Sequence, residues 1–210
     1  FSRKWETVWE EPFDGELAVF CPNHAGAMGP IRMCAHFELT DDCYSWMNHG
    51  MMDAKEVPAY VRQDYWWEPG CKLEPLYNAT LPYIAAAIIP PILRSAPGIP
   101  VYHDGRVLKT FRQSIERLKE GKHLIIFTEQ PAGHGTSEGE LNSGWLQITT
   151  MAWRTMKVKL KIYPVNIDLE KRRITVAKPV QFDPEIPLKE QEADILAAIK
   201  KGISTGQFEN

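Results

Sequence analysis

Two short stretches of the sequence carry residue types that could do chemistry, and each follows an apolar run. The run over residues 17–21 ends just before Asn23 and His24. The run over residues 124–128 ends at Glu129. A neutral imidazole can accept a proton near neutral pH, and polar groups at the exits of buried strands are typical of sites in α/β proteins. These stretches therefore predict one site that holds His24 and Glu129.

Small residues follow both stretches, which predicts open loops beside the polar groups. Residues 25–27 and Gly29 are small, and Gly133-His134-Gly135 follows Glu129. Each polar residue also has a purely structural interpretation. A histidine can be a hydrogen-bonded core residue, an asparagine can cap a turn and a carboxylate can lie in solvent. The glycines favour an open loop, and hence a functional role, for His24.

Length and charge limit the classes of protein that fit. A chain of 210 residues with 44% hydrophobic residues is predicted to form one domain, 1–210, with a full core. The formal net charge of −3 gives no reason to expect a nucleic-acid partner. The cations at 154–161 and 171–173 are typical of an exposed face, or of a surface that meets anionic lipid or an acidic carrier protein.

The cysteines and histidines show no metal-binding spacing. Four cysteines lack a C-x-x-C pair and are interpreted as reduced thiols, which favours a cytoplasmic setting. The histidines include no H-E-x-x-H pair, so we expect no metal and no bound cofactor. No signal-peptide pattern opens the chain, although its first residue is Phe1 rather than Met, which leaves upstream residues an open question.

The longest apolar stretch covers residues 81–93 and has three interpretations. It is shorter than the roughly 20 residues that span a bilayer, and prolines interrupt it. A buried core helix ended by Pro90-Pro91 is the simplest interpretation. The others are one wall of an acyl-chain tunnel and a patch that dips into a membrane surface.

Strand-like and helix-like patterns alternate along the chain. This alternation predicts a single-domain α/β fold with a mixed, largely parallel sheet flanked by helices. A hydrolase of the α/β class is disfavoured because no G-x-S-x-G elbow exists. Strands are predicted at 17–21, 57–61, 99–102, 124–128, 157–167 and 174–176 with Val180. Helices are predicted at 31–38, 44–52, 108–118, 145–153 and 188–203.

Four blocks of residues occur in an order that resembles a known family. They are Asn23-His24, the segment 98–106 ending in an arginine, Phe127-Thr128-Glu129-Gln130, and the strand 160–165. In this order they resemble the glycerolipid acyltransferases, of which lysophosphatidic acid acyltransferase is the type member. The resemblance covers about residues 17–180. It implies a fold like that of glycerol-phosphate acyltransferases.

The resemblance also implies a reaction and its residues. A fatty acyl group moves from a thioester, of coenzyme A or acyl carrier protein, to a hydroxyl of a lysophospholipid or glycerol phosphate. The resemblance implies that His24 is the general base and that Glu129 also belongs to the catalytic group. It places Asn23, Gly29, Arg106 and Gln130 among the substrate-binding residues, with Arg106 as a bidentate phosphate donor.

The sequence departs from the family pattern beside the histidine. The family has an aspartate where this chain has Gly29, and Thr128 and Gln130 replace a proline and a glycine of the third block. In a catalytic triad the acid holds the imidazole, and its removal lowers turnover about 10⁴-fold.

Three alternatives follow from the missing acid. Another acid can hold the ring, and the candidates are Glu38, Asp41, Asp42 and Asp104. A backbone carbonyl or water can orient His24, which gives a slower enzyme. Otherwise the protein binds lipid or acyl thioester without turnover. The expected location is cytoplasmic, with peripheral attachment to the inner face of a membrane.

Overall fold

The apolar runs of the sequence form buried strands in the computed structural model, which describes residues 4–25, 28–63, 70–129 and 141–204. The run at Ala18, Val19, Phe20 and Cys21 is fully buried. The strands in chain order are β1 (Glu6–Trp9), β2 (Ala18–Pro22), β3 (Cys43–Asn48), β4 (Gly98–Val101), β5 (His123–Ile125), β6 (Lys161–Asp168), β7 (Arg173–Val176) and β8 (Val180–Gln181).

Seven α-helices and two short 3₁₀ helices connect or follow these strands within the described residues. The 3₁₀ helices cover Thr40–Asp42 and Gly144–Leu146. The α-helices are α1 (Met28–His36), α2 (His49–Met52), α3 (Val57–Gln63), α4 (Glu74–Ser95), α5 (Val107–Lys119), α6 (Gln147–Met156) and α7 (Leu188–Ser204).

The described residues fall into two compact units, and β3 and α5 each contain a boundary between them. The first unit comprises residues 4–25, 28–44, 111–129 and 141–204. The second comprises residues 45–63 and 70–110. The single domain over 1–210 stays a prediction.

The first unit is built on a mixed sheet whose neighbouring strands run β1-β7-β6-β2-β5, with β8 also paired to β6. The β2–β5, β2–β6 and β1–β7 pairs are parallel, and β6 is antiparallel to β7 and β8. Helices α1 and α7 contact β6, and the buried face of α7 presents Ile195, Ile199 and Ile203. The predicted α/β class, with a largely parallel sheet flanked by helices, is confirmed.

The second unit contains the parallel pair of β3 and β4, with Trp46 opposite Ile99, and the helices α2, α3 and α4. Helix α3 packs on α4 through a small cluster of apolar residues. Val57 and Val61 are fully buried, and Ala85, Ala86 and Ile89 pack against them.

Two predicted elements are wrong, and each for an identifiable reason. The helix predicted over 44–52 is instead the strand β3 followed by the short α2, because Cys43 and Ser45 are buried at alternating positions. The strand predicted over 57–61 is helix α3. Val57 and Val61 lie one turn apart on its buried side, and Pro58 lies in its first turn, where no backbone N–H is needed.

Helix α4 contradicts the prediction of a buried core helix that ends at Pro90-Pro91. It continues to Ser95, and only 22% of its most apolar window is buried. Pro82 cannot donate to the carbonyl oxygen of Asn78, four residues earlier. The Arg62 guanidinium donates to that oxygen at 3.2 Å, which satisfies the acceptor that the proline leaves open.

The remaining predicted elements are present, and three strands differ in extent. Strand β5 ends at Ile125 rather than at residue 128, and β6 begins at Lys161 rather than at residue 157. The single strand predicted at 174–176 with Val180 is two strands, β7 and β8. Gly121 has φ +79° directly after α5, and the Lys122 N–H donates to the Arg117 carbonyl at 3.0 Å, as in a glycine-terminated helix. The four cysteines are free thiols, as predicted. Burial raises the pKa of the Cys43 thiol to about 12, so this thiol is held in its protonated form.

Candidate active site at the ends of two parallel strands

His24 and Glu129 follow two neighbouring strands of the first unit. Strands β2 and β5 run parallel, with Val19 opposite Leu124 and Phe20 opposite Ile125, so both chains leave the sheet at the same edge. There the Glu129 Oε2 atom accepts a hydrogen bond of 2.6 Å from the backbone N–H of His24. The contact is charge-assisted and therefore among the stronger hydrogen bonds that a carboxylate makes. The predicted pair is thus brought together.

Asn23 fixes the chain just before His24 to strand β6. Its backbone N–H donates to the Val165 carbonyl at 3.1 Å. Its side-chain Oδ1 accepts from the Ile167 N–H at 2.6 Å, and its Nδ2 donates to the Ile167 carbonyl at 3.3 Å. The amide therefore extends the parallel pairing of β2 and β6 beyond Pro22, which supports the turn-capping interpretation of Asn23. Substrate binding by Asn23 stays a prediction.

The imidazole of His24 lies beside an aromatic ring from the second strand end. The ring centroids of His24 and Phe127 are 5.3 Å apart, with the planes tilted by 54°. Ala25 follows with φ +42°, a left-handed backbone conformation that is uncommon for a residue with a side chain. The turn after His24 is therefore a strained one, as is frequent at functional sites.

Gly29 occupies a position that no larger residue can take in this conformation. A Cβ atom there would overlap the carbonyl oxygen of His24 and lie 2.7 Å from its carbonyl carbon. Helix α1 begins at Met28, so its first turn packs directly on the His24 backbone. The aspartate that the resemblance implies has no room at this position. The close approach explains the glycine as a packing requirement.

Three of the acids considered as replacements are engaged elsewhere. Glu38 accepts a hydrogen bond from the Trp9 indole N–H. Asp42 pairs with the Lys122 ammonium at 2.7 Å, and this hydrogen bond lowers the pKa of the Asp42 carboxyl. Asp104 pairs with Arg106 at 2.7 Å, which lowers the pKa of the Asp104 carboxyl to about 2.

Arg106 belongs to the second unit and makes two described interactions there. Its guanidinium donates to both carboxylate oxygens of Asp104, at 2.7 to 3.1 Å, and lies 4.4 Å from the centre of the Tyr102 ring. The side chain is 55% exposed. Its guanidinium therefore presents a charged group to solvent, already held in a defined orientation.

Residues 141 and 142 lie against the same strand end as Glu129. Leu141 forms an antiparallel bridge with Glu129, and the Asn142 N–H donates to the Thr128 carbonyl at 2.9 Å. Gln130, predicted to bind substrate, and the predicted open loop Gly133-His134-Gly135 lie outside the described residues. The contact of Phe127 with His24 was not predicted, since the sequence pattern placed Phe127 in a strand and in the third block without giving it a partner.

The described part of the chain contains no group of three or more His, Cys, Asp or Glu side chains that could hold a metal ion. Comparison with family models, with curated proteins and with solved structures found no match. The arrangement of His24, Glu129, Asn23 and Gly29 therefore has to be interpreted from its own chemistry.

Proposed function

We propose that this protein transfers a fatty acyl group from an acyl thioester to a hydroxyl of a lysophospholipid or glycerol phosphate. The observation that supports the proposal most is the meeting of His24 and Glu129 at one edge of a parallel sheet, through a 2.6 Å hydrogen bond. In open α/β sheets this edge is where ligands bind. The order of the four sequence blocks, which resembles that of the glycerolipid acyltransferases, supports the proposal as well.

In the proposed reaction His24 acts as the general base. Its neutral imidazole removes the proton from the acceptor hydroxyl while that oxygen attacks the thioester carbonyl carbon. A new C–O bond forms, the C–S bond breaks, and the proton passes from the imidazolium to the leaving sulfur. The products are an ester and a free thiol, and no acyl group is attached to the protein.

Glu129 acts in this scheme by holding the His24 backbone, and the sequence resemblance assigns the acceptor phosphate to Arg106. Because the Glu129 carboxylate contacts the main chain of His24, it positions the residue that carries the imidazole. Arg106 has the fork of donors that phosphate recognition uses, and its pairing with Asp104 is solvent-exposed and so exchangeable.

Helix α4 has a surface that suits a lipid partner. By length and composition this helix of 22 residues is the one described helix that could cross a membrane, and its most apolar window has a mean hydropathy of 1.4. One side of it packs on α3. The other side is exposed and carries Arg94 in its last turn. Before that arginine its exposed residues are uncharged: Pro75, Leu76, Ala79, Thr80, Tyr83, Ile84, Ala87, Ile88, Pro91 and Ile92. We call this set of ten residues the α4 face.

The α4 face suits adsorption to the surface of a membrane. The Thr80 hydroxyl donates to the Leu76 carbonyl at 2.7 Å, so this polar side chain is satisfied within the helix. Tyr83, Ile84, Ile88 and Ile92 are each more than half exposed. Burying a large apolar side chain stabilises by about 1.5–3 kcal/mol, so several such residues can hold a protein at a bilayer. Location at a membrane is part of the proposal.

A second candidate function is binding of lipid or acyl thioester without turnover. The observation that favours it is the packing of Gly29 against the His24 carbonyl, which excludes an acid at that position. In a catalytic triad an acid at such a position holds the imidazole and stabilises its charged form, and its loss slows turnover. The same surfaces still bind substrates.

Acyl transfer measured with a panel of acyl thioesters, lysophospholipids and glycerol phosphate separates the two candidates. The acyltransferase proposal expects product with the parent protein and none with His24→Ala. Retained binding of acyl thioester or lipid, with no turnover by either protein, would favour the second candidate. Turnover that survives in His24→Ala would reject His24 as the base.

A further inference from the structure

A cavity in the first unit has the chemistry of an anion site. Its volume is about 740 Å³, within the range of small-molecule sites, and cations from three segments line it. Lys4 precedes β1, Arg32 lies on α1 and Arg172 lies in the turn between β6 and β7. Among the described residues, no aspartate or glutamate lines it. Three positive charges therefore face one concave space.

Two acids on the strands beside the cavity pair with cations that do not line it. Glu6 accepts from Arg173 at 2.6 Å, and Asp168 pairs with Lys171 at 3.6 Å. A cluster of cations at a protein surface raises the local concentration of anions and speeds their association.

The remaining walls of the cavity are aromatic and apolar. The Trp5 indole stacks on the His36 imidazole, with ring centroids 5.0 Å apart and planes 8° from parallel, and Leu169 adds an aliphatic wall. A simple inorganic anion contacts only the cationic side chains of such a site. A ligand with a flat organic part uses the aromatic and aliphatic walls as well.

Arg172 lines the cavity despite a backbone conformation that disfavours it. Its φ of +54° lies in the left-handed region, where a residue with a side chain is destabilised by about 1 kcal/mol relative to glycine. Glycine would satisfy the tight turn between β6 and β7 without this strain. Arg172 therefore occupies the turn beside the cavity at a conformational cost that glycine would avoid.

From these features we infer that the cavity lined by Lys4, Arg32 and Arg172 binds a phosphorylated small molecule of nucleotide size, with at least two negative charges. The cations bind the phosphate groups, and the Trp5 and Leu169 walls take the organic part. His24 does not line the cavity, so the inference stands or falls independently of the proposed transfer reaction.

Isothermal titration calorimetry on the whole chain tests the inference with adenosine 3′,5′-bisphosphate as the probe. We expect binding that weakens with added salt, no binding of adenosine, and weaker binding of inorganic phosphate. Arg32→Gln and Arg172→Gly should each weaken binding by about tenfold, because each removes a charge-assisted hydrogen bond. Arg112→Gln, which removes a cation of α5 outside the cavity, is the matched control and should leave the affinity unchanged.

Coenzyme A contains the same adenosine bisphosphate group. Comparing its affinity with that of the free bisphosphate therefore identifies the source of the ligand. Binding of coenzyme A at least as tight as that of the free bisphosphate assigns the site to the thioester donor, and binding of the bisphosphate alone assigns it to a free nucleotide. His24→Ala should bind like the parent protein even if transfer is lost. The inference is overturned if neither probe binds, if inorganic phosphate binds equally well, or if Arg32→Gln and Arg172→Gly leave binding unchanged.

Discussion

Two apolar regions of this molecule, strand β2 and helix α4, look alike in the sequence and differ in the fold. Residues 18–21 of β2 are fully buried between neighbouring strands, where Phe20 contacts the rings of Phe37 and Tyr163. Helix α4 is longer and also apolar, yet Ile84, Ile88 and Ile92 are more than half exposed. A folded chain that leaves such a face uncovered in its own structure has a surface suited to a partner.

This difference indicates that β2 contributes to stability, whereas the α4 face is available to recognise a partner. Substitutions in β2 should remove contacts that the fold needs, and substitutions on the α4 face should leave the fold intact. Four predictions test this separation, and they run from the largest expected effect to the smallest.

Phe20→Ala should lower the free energy of unfolding by about 3–5 kcal/mol, because it empties a large, fully buried position. Ile88→Ala, at a residue that is 53% exposed, should change it by less than about 0.5 kcal/mol. Urea denaturation followed by tryptophan fluorescence measures both. Equal losses for the two variants would show that the α4 face is part of a core.

Replacing both Ile84 and Ile88 with glutamine should weaken binding to phospholipid vesicles about a hundredfold. Each substitution removes roughly 1.4 kcal/mol of favourable free energy for transferring an apolar side chain from water to the membrane. The thermal midpoint should stay within a few degrees of the parent value. Ile186→Gln is the control, since Ile186 is an exposed apolar residue outside α4. Vesicle flotation measures the effect, and undiminished binding by the double variant would rule out the α4 face as the lipid-binding surface.

Asn23→Ala should destabilise the protein by about 1–3 kcal/mol, because the N–H and carbonyl of Ile167 both lose their side-chain partner. Asn23→Asp keeps an acceptor for the Ile167 N–H and should therefore lose less stability than Asn23→Ala. Denaturant unfolding compares the three proteins. A neutral effect of Asn23→Ala would remove the proposed link between β6 and the residue before His24.

Buried His123 should make stability fall as the pH drops. Burial lowers the pKa of its imidazole from 6.5, so the unfolded chain takes up a proton before the folded chain does. Stability is therefore complete above about pH 6.5 and declines from there down to the lowered pKa. His123→Phe should show a shallower decline in a thermal midpoint series. Identical slopes would mean that another group controls the acid response.

The sequence predicted the buried strands well and the second unit poorly. Strand β2, helix α5 and helix α7 have uninterrupted patterns that match their burial, and their predicted positions are confirmed. Segment 57–61 is too short for its period to be recognised, and the Val57–Val61 spacing fits either a strand or one helical turn. Pro90-Pro91 did not end α4, because later residues continue the helix and packing on α3 supports it.

The site was predictable in part, because strand order decides which residues meet. Two polar groups after apolar strands could be expected to share an edge, and His24 and Glu129 do. Their actual contact, from carboxylate to backbone N–H, depends on loop geometry that residue types do not specify. Tertiary structure also decides that the His24 carbonyl leaves no room for a side chain at Gly29. It likewise brings Lys4, Arg32 and Arg172 together from distant segments of the chain.

The central claim is that His24 is the general base of acyl transfer and that the α4 face binds a lipid surface. It is tested most directly by acyl transfer to vesicle-bound lysophospholipid and to soluble glycerol phosphate, with the parent, His24→Ala and Ile84→Gln/Ile88→Gln proteins side by side. We predict that His24→Ala loses both reactions and that the α4-face variant loses only the vesicle-bound one. Transfer by His24→Ala at the parent rate would contradict the account.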